Sequence, residues 1–134
     1  MGKLPDLFNL TDRVAIVTGG AGLLGAEFCQ TLMEAGADIV IADIDDDAAN
    51  DLAESLNGRF LSGDSTPRAV PFQVDISSKS SVQGLFQRTL DQFSKLDILV
   101  NAAVLDPKFD PQSIADGNSD HGLEESDHLL AINF

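Results

Sequence analysis

Short apolar runs and longer amphipathic stretches alternate along the chain. The apolar runs at 13–18, 37–42, 69–75 and 95–101 predict strands, because continuous apolar residues suit a strand that is buried on both faces. The stretches between them carry apolar residues at helical spacing, so helices separate the strands and a parallel sheet is expected. The stripes predicted to face the sheet are Leu24, Phe28 and Leu32 in the first helix; Ala48, Ala49, Leu52, Ala53 and Leu56 in the second; and Val82, Leu85, Phe86, Thr89, Leu90 and Phe93 in the third.

Small and polar residues predict where these helices begin and end. Gly36 is expected to end the first helix, as a glycine just past a helix commonly does. The second helix is expected to run from about 46 to 56, with Asn57 and Gly58 as its stop and a loop over 59–68.

The third strand contains Pro71, which lacks a main-chain N–H and is best tolerated at the edge of a sheet. An edge position is that of the third strand in a doubly wound sheet of order 3-2-1-4. The predicted fold class is therefore α/β, a doubly wound parallel sheet with flanking helices. Ser77 or Ser78 is expected to cap the third helix, since a serine hydroxyl can accept a free N–H of the first turn.

Residues 106–127 are rich in Asp, Ser, Gly and Pro and are expected to form a flexible loop. His121 and His128 lie in or beside this loop. We interpret them as solvated histidines, because no spacing to other ligand-type residues demands a metal. A helical start is expected over 126–134.

The passage from the first strand into the first helix carries glycines with the spacing T-G-x-x-G-x-x-G. Gly19 permits a tight turn, Gly22 leaves room for main chain to approach a pyrophosphate, and Gly25 lets the helix pack closely on the sheet. The free N–H groups and the positive end of that helix would face the phosphates. With a strand before it, a helix after it and an acid about twenty residues further on, this pattern predicts a dinucleotide site.

Asp43 is that acid, and it ends the second predicted strand. Its carboxylate can accept hydrogen bonds from both ribose hydroxyls of an adenosine, and it would repel a 2′-phosphate. Because Ile44 and three further aspartates follow, with no Lys or Arg in the turn, NAD is predicted rather than NADP. The alternative is that Asp43 only opens the acidic cluster that caps the second helix.

The chain is strongly acidic, with 22 acidic and 8 basic residues and a net charge of −14. It therefore lacks the basic stripe that binding to nucleic acid requires. No apolar run is long enough to cross a membrane, and the first strand begins too near Met1 for a signal peptide, so a cytoplasmic protein is expected. The single cysteine, Cys29, lies within the first helix and is interpreted as core packing.

These motifs together resemble the short-chain dehydrogenase/reductase family over nearly the whole chain. The resemblance implies that residues 1–134 are the N-terminal part of one NAD-binding Rossmann domain, so that the sheet is incomplete. It also implies hydride transfer between NAD and a small secondary alcohol or ketone, and a homo-oligomer when full length. The matching elements are the turn from Thr18 to Gly25, Asp43, Val74-Asp75-Ile76, Leu99-Val-Asn-Ala-Ala103 and Ile132-Asn133.

The resemblance assigns roles to several of these residues. Asp75 and Ile76 would hold the adenine side of the cofactor, and Asn101 and Ala102 would brace the central strand and the adenosine ribose. Asn133, placed in the helix expected after the fourth strand, would match the family's helix asparagine, which fixes a proton-relay water, and is the candidate catalytic residue. The candidate cofactor-binding residues are therefore Gly19, Gly22, Leu24, Gly25, Asp43, Asp75, Ile76, Asn101, Ala102 and Ala103.

The chain departs from the classical family pattern in two motifs. Leu23 replaces the middle glycine of the turn, a spacing shared with the extended members that act on nucleotide sugars, and the usual N-N-A-G is here Asn101-Ala-Ala-Val104. The Val-Asp-Ile and Ile-Asn elements nevertheless favour the classical type.

The catalytic serine and Tyr-x-x-x-Lys of the family cannot be assigned on this chain, which has no tyrosine. The chain alone is therefore expected to be inactive. Because the fifth strand is also expected to be missing, the fourth strand would expose an unpaired apolar edge at Leu99 and Val100.

Two alternatives remain open. One is a stand-alone dinucleotide-binding or interaction module that completes its sheet with another chain. The other is the front half of an NAD-dependent nucleotide-sugar epimerase or dehydratase.

Overall fold

The computed structural model describes residues 8–61, 66–103 and the main chain of 131–133. The expected loop at 106–127 and both histidines lie outside these ranges. Eight elements follow one another in the described residues: β1 (Val14–Thr18), α1 (Leu23–Glu34), β2 (Asp38–Asp43), α2 (Asp46–Phe60), β3 (Ala69–Gln73), α3 (Lys79–Phe93), β4 (Ile98–Asn101) and β5 (Ala131–Asn133).

The strands form one parallel sheet in the order β3-β2-β1-β4-β5. This confirms the α/β class and the predicted order 3-2-1-4. β3 pairs only with β2, and Pro71 lies opposite Ile41, so the proline is on the edge strand as expected. Ser78 is the residue that caps α3, because its hydroxyl accepts the N–H of Ser81.

The apolar core lies on both faces of the sheet. Alternate strand residues face opposite sides, so Val17 and Ile41 pack with α1 and α2, whereas Ile16 and Val40 pack with α3. The central strands are buried on both faces, and this explains why their sequences are continuously apolar.

The helical start expected over 126–134 is wrong where the structure describes it. Ala131–Asn133 is a strand, β5, and it pairs with β4 through Leu99–Ala131, Val100–Ile132 and Asn101–Asn133. The unpaired edge expected at Leu99 and Val100 is therefore also wrong. The exposed N–H and C=O groups of an edge strand favour any short segment that can pair with them, and this outweighs a weak helical pattern.

The stop predicted at Asn57 and Gly58 is wrong as well, since α2 continues to Phe60. The Asn57 side chain does not end the helix because its hydrogen bonds go elsewhere: Oδ1 accepts the N–H groups of Arg68 (3.1 Å) and Ala69 (2.9 Å), and Nδ2 donates to Ala69 O (2.9 Å). Phe60 packs against the core and favours the extra turn.

The predicted stripe of α1 is displaced by one residue. Gly25, Cys29 and Met33 are the buried positions, whereas Phe28 and Leu32 are only partly buried and Leu24 is 50% exposed. Small side chains at 25 and 29 let the helix lie close to the strands, which turns Leu24 away from the sheet. In α3, Leu90 is likewise exposed rather than buried.

The bonds of Asn57 predict a specific loss of stability. Asn57→Ala leaves two part-buried N–H groups and one carbonyl without their partner, so we expect the free energy of unfolding to fall by about 1–3 kcal/mol. The measurement is chemical denaturation followed by circular dichroism. The matched control is Asn50→Ala, whose side chain bonds only to Asp46 O on its own helix and whose loss we expect to cost less than about 0.5 kcal/mol. Equal losses in the two variants would contradict the assignment.

Candidate functional site

A groove of about 400 Å³ runs along the carboxyl ends of β1, β2 and β4. Parallel α/β sheets bind ligands at this end. All predicted cofactor-binding residues except Asn101 line it. The lining residues are Gly19, Gly22, Leu23, Leu24, Gly25, Ala42, Asp43, Ile44, Val74, Asp75, Ile76, Ala102 and Ala103.

The floor of the groove is main chain, and its segments lie too close to one another to leave room for side chains. Gly19 has φ +64°, and a Cβ there would lie 2.6 Å from the Cα of Ala103. A Cβ on Gly25 would overlap the carbonyl oxygen of Gly19. Gly22 differs, because a Cβ there would meet only Gly19 O, at 3.2 Å, so its missing side chain leaves space in the groove.

The N-terminus of α1 presents free donors beside this floor. Gly22 is the N-cap and offers no side chain, and the first N–H bonded within the helix is that of Ala26, to Gly22 O. The N–H groups of Leu23, Leu24 and Gly25 have no acceptor among the described residues. Such a helix end binds anions through its N–H groups and its dipole.

Asp43 stands at the end of β2, on another wall of the groove. Its Oδ2 accepts the N–H of Ala21 at 3.0 Å, and its Oδ1 accepts the N–H of Asp45 at 2.9 Å. The cap of α2 is Asp45, whose carboxylate accepts the N–H of Ala48. Asp43 thus contributes to the turn before α2 through its bond to Asp45, but its bond to Ala21 shows that it does not serve the start of that helix alone.

Asp75 and Ile76 follow β3 and line the same groove. Ser77 donates to Asp75 Oδ1 from its hydroxyl (2.6 Å) and from its N–H (3.0 Å), and these bonds lower the pKa of the Asp75 carboxyl. The main-chain N–H of Asp75 donates to the hydroxyl of Ser81 (2.9 Å), and this bond holds the start of α3 against Asp75. The carboxylate is thus held ionised at the rim of the groove.

Asn101 is the one predicted cofactor-binding residue that does not line the groove. It lines a second cavity of about 220 Å³ together with Leu85, Phe86 and Leu99, on the α3 side of the sheet, and Ile76 and Ala103 line both spaces. The Thr18 hydroxyl lies 3.2 Å from its Oδ1, and the N–H of Ala102 donates to Thr18 O at 3.0 Å. These contacts join the ends of β1 and β4. Asn133 is the register partner of Asn101.

Sequence reasoning missed two side chains that project at the groove, Leu23 and Ile44. They are 93% and 66% exposed, and with Leu24 and Ile76 they account for four of the six large apolar side chains exposed in the described part of the chain. Their positions in the sequence could have indicated that they lie at the groove, because Leu23 begins the helix directly after Gly22 and Ile44 directly follows Asp43. The groove wall is therefore largely apolar, and among the described residues that line it only Asp43 and Asp75 are charged.

Cys29 is fully buried below the glycine turn, which confirms its interpretation as core packing. Its Sγ lies 3.8 Å from Gly20 O, and burial raises the pKa of the thiol to about 12. The residues that the structure describes contain no group of three His, Cys, Asp or Glu side chains suited to a metal ion. Nor does any helix within those ranges have the length and apolar character to span a membrane.

The close approach of main chain at Gly25 predicts that an added methyl group destabilises the fold there but not at Gly58, where there is open space. Gly25→Ala forces Cβ into Gly19 O, and we expect it to destabilise the fold by more than about 2 kcal/mol. The control is Gly58→Ala on α2, where a Cβ meets nothing within 4 Å and the better helix propensity of Ala should leave stability unchanged or raise it by up to about 1 kcal/mol. Thermal unfolding of both variants measures the difference, and a Gly25→Ala variant as stable as the parent would refute it.

Comparison with known proteins places the site in a family. The family model described as short chain dehydrogenase matches residues 13–134. A short chain dehydrogenase/reductase of Gibberella zeae is 33% identical over 128 residues, which are 96% of this chain and 43% of that protein. The chain therefore spans about two fifths of the length of this relative.

Solved structures agree with the sequence match. Sorbitol-6-phosphate 2-dehydrogenase from Erwinia amylovora superposes with a TM-score of 0.62 at 36% identity, over 68% of this chain and 34% of that one. A 3-ketoacyl-(acyl-carrier-protein) reductase from Brucella melitensis, solved in complex with NADH, gives 0.59 at 31% identity, over 68% and 34% of the two chains. These matches favour the dehydrogenase interpretation over both alternatives, and the chain belongs to the short chain dehydrogenase family.

Proposed function

We propose that this chain is the NAD-binding portion of an oxidoreductase that transfers hydride between NAD and a small secondary alcohol or ketone. Members of the family bind nicotinamide dinucleotides. The observation that carries the proposal is the groove itself, with free helix donors over a glycine floor and a carboxylate at the end of β2. Its residues fit this cofactor in two places.

The phosphate end is the start of α1. The N–H groups of Leu23, Leu24 and Gly25 are free of acceptors within the described ranges, and the space above Gly22 is open to the groove. A pyrophosphate there would receive neutral N–H donors and the helix dipole. No Lys or Arg of the described residues lines the groove, so these donors would take the place of a cationic side chain.

The adenosine end is Asp43. Each carboxylate oxygen accepts one main-chain N–H and retains a further lone pair, so the side chain can still accept ribose hydroxyls. A 2′-phosphate would meet the negative charge of Asp43, and the part of the groove lining that the structure describes has no cation to offset it, which favours NAD over NADP. Ile44 and Ile76 offer apolar surface for the adenine, and Asp75 offers a hydrogen-bond acceptor.

The chemistry of the full protein needs groups beyond this site. When bound, the nicotinamide would supply the hydride acceptor. We propose that Asn133, at the carboxyl end of the sheet beside Asn101, holds a water for proton transfer. We further propose that this chain alone is inactive, that its partners are a small-molecule substrate and copies of the full-length protein rather than nucleic acid, and that it acts in the cytoplasm.

A single added side chain tests the phosphate end. Gly22→Val fills space in the groove with little cost to the fold, whereas a valine at Gly19 would also strain the turn. We expect NAD affinity, measured by isothermal titration calorimetry, to fall at least about tenfold, or 1.4 kcal/mol. Gly58→Val adds the same side chain far from the groove, in open space, and should bind NAD as the parent does. Undiminished binding by Gly22→Val would place the pyrophosphate elsewhere.

Cofactor selectivity tests the adenosine end. Asp43→Ala removes the acceptor for the ribose hydroxyls and the repulsion of a 2′-phosphate, so NAD affinity should fall about tenfold or more while NADP affinity falls less or rises. The informative quantity is the ratio of the two dissociation constants, which isolates the 2′-position from any general loss. Asp47→Ala removes a charge from the first turn of α2 and should preserve the ratio. An unchanged ratio in Asp43→Ala would disprove the ribose role.

A further inference from the structure

Asp43 joins two turns that form the walls of the groove. Its Oδ2 bonds to the N–H of Ala21, within the glycine turn at 19–22, and its Oδ1 bonds to the N–H of Asp45, the cap of α2. The two bonds measure 3.0 and 2.9 Å. One side chain therefore holds the turn below the phosphate end in a fixed position relative to the turn at the ribose end.

Two other N–H groups of the glycine turn at 19–22 bond to main-chain acceptors, in contrast to the N–H of Ala21. Gly20 donates to Ala42 O at 3.3 Å and Gly22 donates to Gly19 O at 3.0 Å, so both use main-chain acceptors. Within the described turn at 19–22, only the N–H of Ala21 donates to a side chain. The turn leads directly into the first residues of α1, whose free N–H groups are the donors for the phosphates, so its conformation sets where they point.

We propose that Asp43 is a positioning residue for the phosphates as well as a ligand of the ribose. By accepting the N–H of Ala21, its carboxylate holds the glycine turn in the conformation that presents the α1 donors. The inference rests on the proposed function, because it gives Asp43 a second role at the same site. A carboxylate that served the ribose alone would affect an anion without a ribose only by repelling it.

Inorganic pyrophosphate is the ligand that separates the two roles. It can contact the N-terminus of α1 and has no ribose for Asp43 to bind. Removing a negative charge from the groove should by itself tighten the binding of this anion. Losing the bond to Ala21 should weaken it. The two effects have opposite signs, so the direction of the change identifies the role.

The experiment compares the parent chain with Asp43→Ala and Asp47→Ala in titrations with pyrophosphate. We expect Asp43→Ala to bind about three- to tenfold more weakly, the range that one hydrogen bond supplies. Asp47 is exposed on α2 and has no hydrogen bond to the glycine turn, so Asp47→Ala controls for charge and should bind equally or more tightly. Asp43→Asn keeps the shape but loses one of the two acceptor oxygens, and should fall between Asp43→Ala and the parent.

Amide hydrogen exchange of Ala21, followed by NMR without ligand, gives a second readout. We expect the protection of this N–H to fall at least about tenfold in Asp43→Ala and to persist in Asp47→Ala. Equal or tighter pyrophosphate binding by Asp43→Ala, or an unchanged exchange rate at Ala21, would overturn the positioning role. If the parent bound neither NAD nor pyrophosphate, the proposed function would fail, and the exchange rate would still decide whether Asp43 holds the turn.

Discussion

The contact between the first turn of α1 and the glycine turn is the constraint on which the site depends. A Cβ on Gly25 would overlap Gly19 O, and one on Gly19 would lie 2.6 Å from Ala103 Cα. Main chain alone can therefore bring the helix, the turn and the end of β4 together. This packing exposes the free N–H groups of α1 at the groove. The candidate binding chemistry is thus a consequence of how closely the main chain packs.

Features with a local chemical cause could be predicted from the sequence. The buried strands follow from continuous apolar runs such as Val14–Thr18, which has no exposed residue. The turn follows from the glycine spacing, because no other residue fits at Gly19 and Gly25. The edge position of β3 follows from Pro71, and the order of the first four strands then follows from the alternation of strands and helices. Nine of the ten predicted cofactor-binding residues line one groove for the same reasons.

Features that depend on distant partners could not be predicted. Asn57 resembles a helix stop in the sequence, but its hydrogen bonds to Arg68 and Ala69 involve residues on another element. β5 forms because the edge of β4 offers main-chain hydrogen-bond partners, and no sequence pattern within 131–133 indicates this pairing. Leu24 was expected both to face the sheet and to bind the cofactor, and only the tight packing of Gly25 explains why it lines the groove and is not part of the core. In each case, tertiary contacts override a local preference.

The proposed binding of an anionic cofactor to an acidic chain has to agree with the distribution of charge. Arg13 and Lys95 pair with Asp97, and Arg68 pairs with Asp38, all at the amino ends of the strands. At the carboxyl ends, Asp43 and Asp75 line the groove, and no Lys or Arg of the described residues lies beside them there. In the proposed site, the neutral N–H donors at the start of α1 would therefore supply the affinity through their geometry. A site of this kind depends on the position of each donor, and the proposed positioning role of Asp43 follows from that dependence.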